Sequence, residues 1–74
     1  MAKIEVKEVE EQLNHRLLFS VRVSADKGQI EFPIGIQDQG STAANEAAVL
    51  TSTLSVAEEL AASARLRLGA RTRL

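Results

Sequence analysis

The sequence predicts an α+β fold, a three-stranded antiparallel β-meander followed by one long C-terminal α-helix packed on one sheet face (βββα). Short runs in which apolar and polar residues alternate, as in half-buried strands, occur three times before residue 37. Residues 43–68 contain no Gly or Pro and are rich in Ala, Leu, Val, Glu and Arg, most of which favour helix. The length of 74 residues predicts one domain, residues 1–74.

The first strand is predicted over about residues 3–10, where Ile4 and Val6 alternate with charged residues. Val9 falls on the opposite parity from these two, which predicts a β-bulge or an early end of the strand. Residues 12–15 then read as a connection. It contains the single histidine, His15, which we interpret as a solvated loop residue. No metal site and no cofactor are predicted.

The second and third strands are predicted over about residues 16–24 and 29–36, joined by a hairpin turn at residues 25–28. Pro33 cannot donate to a sheet ladder, so the third strand should lie at a sheet edge. Short connections place the second strand in the middle. The residues expected on one apolar sheet face are Ile4, Val6, Leu17, Phe19, Val21, Val23, Ile30, Phe32, Ile34 and Ile36.

The helix is predicted over about residues 42–68. Ser41 or Thr42 can cap its start, and Gly69 is suited to a left-handed C-terminal cap. Residues 70–74 are expected to form a frayed basic tail. Ser and Thr are frequent at residues 51–55 and compete for backbone hydrogen bonds, so a kink near residues 53–55 is a second possibility.

One side of the predicted helix carries a regular apolar repeat, which we call the Leu–Ala stripe. Its spacing alternates between four and three residues, the 3.5-residue period of helices that pack lengthwise. Its members are Ala43, Ala47, Leu50, Leu54, Ala57, Ala61, Ala64 and Leu68. The favoured interpretation is that the stripe packs on the chain's own sheet. The alternative is that part of it, namely Leu50, Leu54, Ala57 and Ala61, pairs with a second copy.

The predicted dimensions favour a homodimer. A helix of about 26 residues is roughly 39 Å long, longer than the strands and narrow against three of them. Part of the helix should therefore overhang, and some sheet surface should stay uncovered. Two copies could associate through the overhanging helix, the uncovered sheet margin or the edge of the first strand. Glu46 and Glu58 flank the stripe in its N-terminal and central part, and Arg65 and Arg67 flank it near its C-terminal end. An antiparallel pair of such helices would bring acid opposite base.

Charge is unevenly distributed along the chain. Residues 1–59 contain all ten acidic residues, whereas residues 60–74 contain four Arg and no acid. The basic end could contact phosphate, but Arg65 and Arg67 project about 200° apart on a helix and the body is acidic, so nucleic-acid binding is not favoured. No apolar run is long enough to span a membrane, and no secretory signal is recognisable, which predicts a cytoplasmic protein.

Residue patterns typical of catalysis are not found, so the sequence favours a non-enzymatic protein–protein interaction module. We expect a homodimeric small regulator, inhibitor or adaptor that docks on a larger protein of unknown identity. The alternative is a nucleic-acid-binding regulator that uses the Arg-rich end of the helix. Candidate partner contacts are residues that should be exposed and that the predicted fold does not account for. They are Leu13, His15, Leu18, Arg65, Leu66, Arg67, Arg71 and Arg73.

Overall fold

The computed structural model describes residues 1–72, and it describes side chains as far as residue 70. Within this part of the chain the elements are β1 (Lys3–Gln12), β2 (Arg16–Ala25), β3 (Gly28–Gln37) and α1 (Thr42–Thr72). The strands form one antiparallel sheet in the order β1-β2-β3, and α1 packs on it. The predicted βββα fold is confirmed, and Pro33 lies on an edge strand as expected.

The predicted bulge in β1 is confirmed. Glu8 pairs with Phe19 and Glu10 pairs with Leu18, so Val9 is the extra residue between them. Beyond the bulge, β1 remains paired with β2 as far as Gln12, two residues past the predicted end. The ladder is formed by backbone groups, so the acidic residues Glu10 and Glu11 do not interrupt it.

The connection between β1 and β2 is a short turn, Leu13–His15, with an unusual backbone. Asn14 has φ 62° and His15 has φ 59°, so two consecutive residues lie in the left-handed region. Consecutive positive φ values are typical of tight hairpin turns, whose twist matches that of the strands. Two hydrogen bonds join this turn to the end of β3. Gln37 Nε2 donates to the carbonyl of Asn14 (2.8 Å), and the Asp38 N–H donates to that of His15 (2.8 Å).

The core lies between α1 and the middle of the sheet. Its buried apolar side chains are Leu17, Phe19, Val21, Ile34, Ile36 and Val49. At one margin of the same sheet face, Ile4 pairs with Val23 and Val23 pairs with Ile30. Ile4 and Ile30 remain exposed there, which confirms that one helix leaves part of the sheet uncovered.

The helix face that packs on the sheet differs from the favoured prediction. Asn45, Val49 and Thr53 are buried, with Ala48 and Ser52 half-buried beside them. The Leu–Ala stripe points elsewhere, and the interpretation that it packs on the chain's own sheet is wrong. The hydrogen bonds of Asn45 with the connection before the helix favour this face, and the buried polar side chains all find hydrogen-bond partners. Thr53 Oγ1, for example, donates to the carbonyl of Val49 (2.9 Å), so burying it costs little.

The helix is longer than predicted. It continues through Gly69 to Thr72, so Gly69 lies inside the helix and residues 70–72 are helical. Glycine disfavours a helix interior by only about 1 kcal/mol, and the neighbouring Ala70 and Arg71 are strong helix formers. Helical structure also continues through residues 53–55, where a kink was the second possibility. At 31 residues, α1 is about 46 Å long, close to the longest dimension of the molecule, 51 Å.

Candidate functional site

The start of α1 is held by a compact set of hydrogen bonds. Ser41 Oγ accepts from the N–H of Ala44 (3.1 Å), which confirms Ser41 as the capping residue. The buried Asn45 accepts from the N–H of Gln39 (2.6 Å) and donates to Asp38 Oδ1 (3.2 Å). These bonds join the connection between β3 and α1 to the first turn of the helix. They fix which side of α1 faces the sheet.

Asp38 is the acceptor at the centre of this set. Its Oδ1 also accepts from the N–H of Gly40 (2.9 Å). This backbone hydrogen bond, the amide of Asn45 and the nearby His15 together hold the pKa of the Asp38 carboxyl below its usual value. Asp38 therefore remains an ionised acceptor at neutral pH, and its hydrogen bonds hold the start of α1 in place.

With this face of α1 on the sheet, the Leu–Ala stripe is exposed. Leu50 is 39% exposed and Leu54 is 60% exposed, although each is a large apolar residue. Ala57 is exposed and Ala61 is half-buried. At 3.6 residues per turn, Leu50 projects about 100° and Leu54 about 140° away from the buried Val49. The residues predicted for self-association thus lie together on one accessible helix face.

Beyond the sheet, α1 forms a projecting arm, which we define as residues 54–72. None of its side chains as far as residue 70 is buried. The arm carries large apolar residues on more than one side, with Leu60 56%, Leu66 75% and Leu68 64% exposed. These exposed large apolar residues make the arm a candidate interaction surface.

A groove lies beside the start of α1, on the side where β1 is left uncovered. We call it the β1 groove; it is lined by Ile4, Val6 and Glu8 of β1 and by Thr42, Asn45 and Glu46 of α1. Glu46 lies about 60° around the helix from Val49, in the same rotational direction as Leu50. The Leu–Ala stripe therefore faces the side of α1 on which the groove lies. Sequence reasoning placed Glu46 beside the stripe but missed the groove and Glu8.

The structure separates the predicted partner contacts into three regions. Leu13, which is 86% exposed, and His15 lie in the turn between β1 and β2. Leu18 is half-buried in a shallow depression that also contains Val9 and Pro33. The two apolar residues that broke the alternation of β1 and β2 are therefore neighbours, and the bulge brings them together.

The remaining predicted contacts lie on the arm. Arg65 and Leu66 line a shallow depression that includes Ala62 and Gly69. Arg67 is exposed and projects about 200° from Arg65 around the helix. The side chain of Arg71 and the whole of Arg73 lie outside the described part of the chain, and so does the expected fraying of residues 73–74.

No three His, Cys, Asp or Glu side chains of residues 1–72 lie close enough to hold a metal ion. No helix in that part of the chain has the length and apolarity needed to cross a membrane. Comparison of the chain with protein-family models, curated proteins and solved structures found no match.

Proposed function

We propose that the protein is a non-enzymatic protein–protein interaction module that forms a homodimer through the Leu–Ala stripe of α1. We propose further that the dimer acts as a small regulator, inhibitor or adaptor by docking on a larger protein. The observation that carries the proposal is the exposure of Leu50 and Leu54 on a helix that extends beyond its sheet. Covering such side chains removes apolar area from water, worth roughly 25 cal/mol per Å².

Several exposed residues would stay accessible in a dimer formed through the stripe. Leu66 projects about 120° away from Leu54 around the helix axis. Leu13 and the depression that contains Leu18 lie on the turn and the sheet rather than on α1. We propose these as the contacts for the larger partner, so that self-association and docking use different surfaces.

The test is the absolute mass of the intact protein and of two variants, measured by light scattering. Leu54→Glu places a carboxylate in the stripe, whereas Leu66→Glu makes the same change on another side of the arm. Both side chains are exposed, so both variants should remain folded by circular dichroism. We expect a dimer for the intact protein and for Leu66→Glu, and a folded monomer for Leu54→Glu. A monomeric intact protein, or equal masses for all three, would reject self-association through the stripe.

A further inference from the structure

The sequence of the Leu–Ala stripe, together with the charges beside it, selects one arrangement of two copies. We propose that the two α1 helices pack antiparallel along their stripes, with the two-fold axis between residues 55 and 56. The arm of each copy then lies along the β1 groove of the other. This inference rests on the proposed function, since it concerns the geometry of the same self-association.

The first support is the complementarity of side-chain size. In this register Leu50 lies opposite Ala61 of the second copy, and Leu54 lies opposite Ala57 of the second copy. Ala47 and Ala64 form the next layer. Each large side chain thus faces a small one, so the helices can approach to the short end of the usual separation of about 8–10 Å. Large and small residues alternate in facing positions in the same way in well-packed helix pairs.

The second support is charge. Glu46 and Arg67 occupy equivalent heptad positions on the same edge of the stripe. The proposed register brings Glu46 opposite Arg67 of the second copy, and the two-fold axis forms this contact twice. Glu58 and Arg65, on the other edge, lie opposite Thr51 and Ala44 of the second copy, so no like charges meet. Charges that flank a helix seam set the orientation and register of the partners.

Neighbouring registers are less favourable. If the pairing of the two helices is shifted by one heptad toward their C-termini, Glu58 lies opposite Glu58 of the second copy, and like charges at such positions repel. A shift of two heptads places Glu58 near Arg65 of the second copy but leaves Leu50 and Glu46 outside the contact. Of these three registers, only the one centred between residues 55 and 56 uses the size pattern and avoids repulsion.

The third support comes from the sheet. One helix covers the middle of the sheet and leaves Ile4 exposed and Val6 half-buried on β1. A second helix on the stripe lies on the β1 side of α1, next to these residues. On that helix, Leu60 and Arg67 project toward the groove. Leu60 would meet the apolar side chains of β1, and Arg67 would lie near Glu8 as well as Glu46.

Cysteine cross-linking measures the register directly, because the native chain contains no Cys. Leu54→Cys and Ala57→Cys are purified separately, mixed and oxidised, and the products are separated by non-reducing electrophoresis. We expect the mixed disulfide to form at least about tenfold faster than either self-linked product. Rapid self-linking of Leu54→Cys would indicate parallel helices. A faster reaction between Ala57→Cys and Ala61→Cys would indicate the shifted register. Either result overturns the proposed geometry.

Charge reversal gives an independent measurement on full-length protein. Glu46→Arg and Arg67→Glu should each weaken the dimer by about tenfold at low salt, and the double variant should recover most of the lost affinity. Glu59→Arg makes the same change of charge on the opposite side of α1 and should leave the affinity unaltered. A double variant no tighter than the single ones overturns the proposed pairing. If Leu54→Glu abolishes the dimer but Leu54→Cys and Ala57→Cys do not cross-link preferentially, the proposed register is rejected and the proposed function stands. If the intact protein is a monomer, both are rejected.

Discussion

Gly40 lies in the connection between β3 and α1 with φ 93°, in the left-handed region that side chains with a Cβ avoid. A Cβ at this position would meet nothing within 4 Å, so the constraint comes from the backbone alone. We expect Gly40→Ala to lower the free energy of unfolding by about 1–2 kcal/mol, measured by urea denaturation. Gly69→Ala is a control in which the same substitution should favour the folded structure. Gly69 is helical with open space around it, and Ala there should increase the helical circular dichroism signal.

Asp38 predicts a specific dependence of stability on pH. Its hydrogen bonds with Gly40 and Asn45 lower the pKa of the carboxyl in the folded protein. The unfolded chain therefore binds more protons in acid than the folded one. The stabilisation from Asp38 is present above the pKa of the carboxyl in the unfolded chain and is lost as the pH falls through the lower pKa of the folded protein.

The measurement is urea unfolding at several pH values between about 6 and 2.5. We expect the free energy of unfolding to fall toward acid less steeply in Asp38→Asn than in the native protein. The Asn side chain keeps an oxygen acceptor for Gly40 but cannot titrate. Parallel pH profiles for the two proteins would show that the Asp38 carboxyl does not couple protonation to folding.

At the scale of the element, the packing of α1 on the sheet depends on Asn45, although this buried residue is polar. Asn45→Ala removes the acceptor for Gln39 N–H and the donor to Asp38. We expect a loss of about 1–3 kcal/mol in the free energy of unfolding, because two hydrogen bonds are lost, one of them to the ionised carboxylate of Asp38. Thr53→Val is the control. The Thr53 hydroxyl bonds only within its own helix turn, and Val has the same shape, so its effect should be much smaller. Equal losses in the two variants would contradict this explanation.

The strands were predictable because their alternation has a single physical origin. The apolar sheet face and the bulge at Val9 follow from side-chain parity, which a sequence displays directly. The hairpin turn at residues 25–28 follows from its turn residues, Asp26 and Gly28. The end of α1 was less predictable, since Gly69 is compatible both with a cap and with a helix interior. The positive φ of His15 left no signal, because Asn-Gly rather than Asn-His marks such turns.

The orientation of α1 could not be predicted from the spacing of apolar residues. The Leu–Ala stripe is the more regular pattern, and periodicity alone does not say which surface covers it. What decided the orientation was the connection before the helix, where Asp38, Gln39 and Asn45 bond to one another. These contacts depend on three-dimensional geometry. The candidate self-association residues were correctly grouped on one face, whereas the β1 groove required the packed structure to be seen.

At the scale of the whole molecule, the small core predicts that stability depends on protein concentration. The apolar core of the described residues consists of six buried side chains, which is little for a chain of this length. If a second copy covers the Leu–Ala stripe, unfolding is coupled to dissociation, and mass action favours the folded dimer at higher concentration. For a dimer of this size, each tenfold rise in concentration should raise Tm by about 4 °C.

Thermal unfolding of the intact protein and of Leu54→Glu over a hundredfold range of concentration, followed by circular dichroism, tests this coupling. We expect Tm of the intact protein to rise steadily with concentration. Tm of Leu54→Glu should be lower and constant, because an exposed Glu in the stripe prevents pairing without entering the core. Leu66→Glu should behave like the intact protein, since its side chain lies on another side of the arm. A Tm that is independent of concentration in all three proteins would mean that the six-residue core stabilises the monomer by itself, and that the stripe remains exposed in solution.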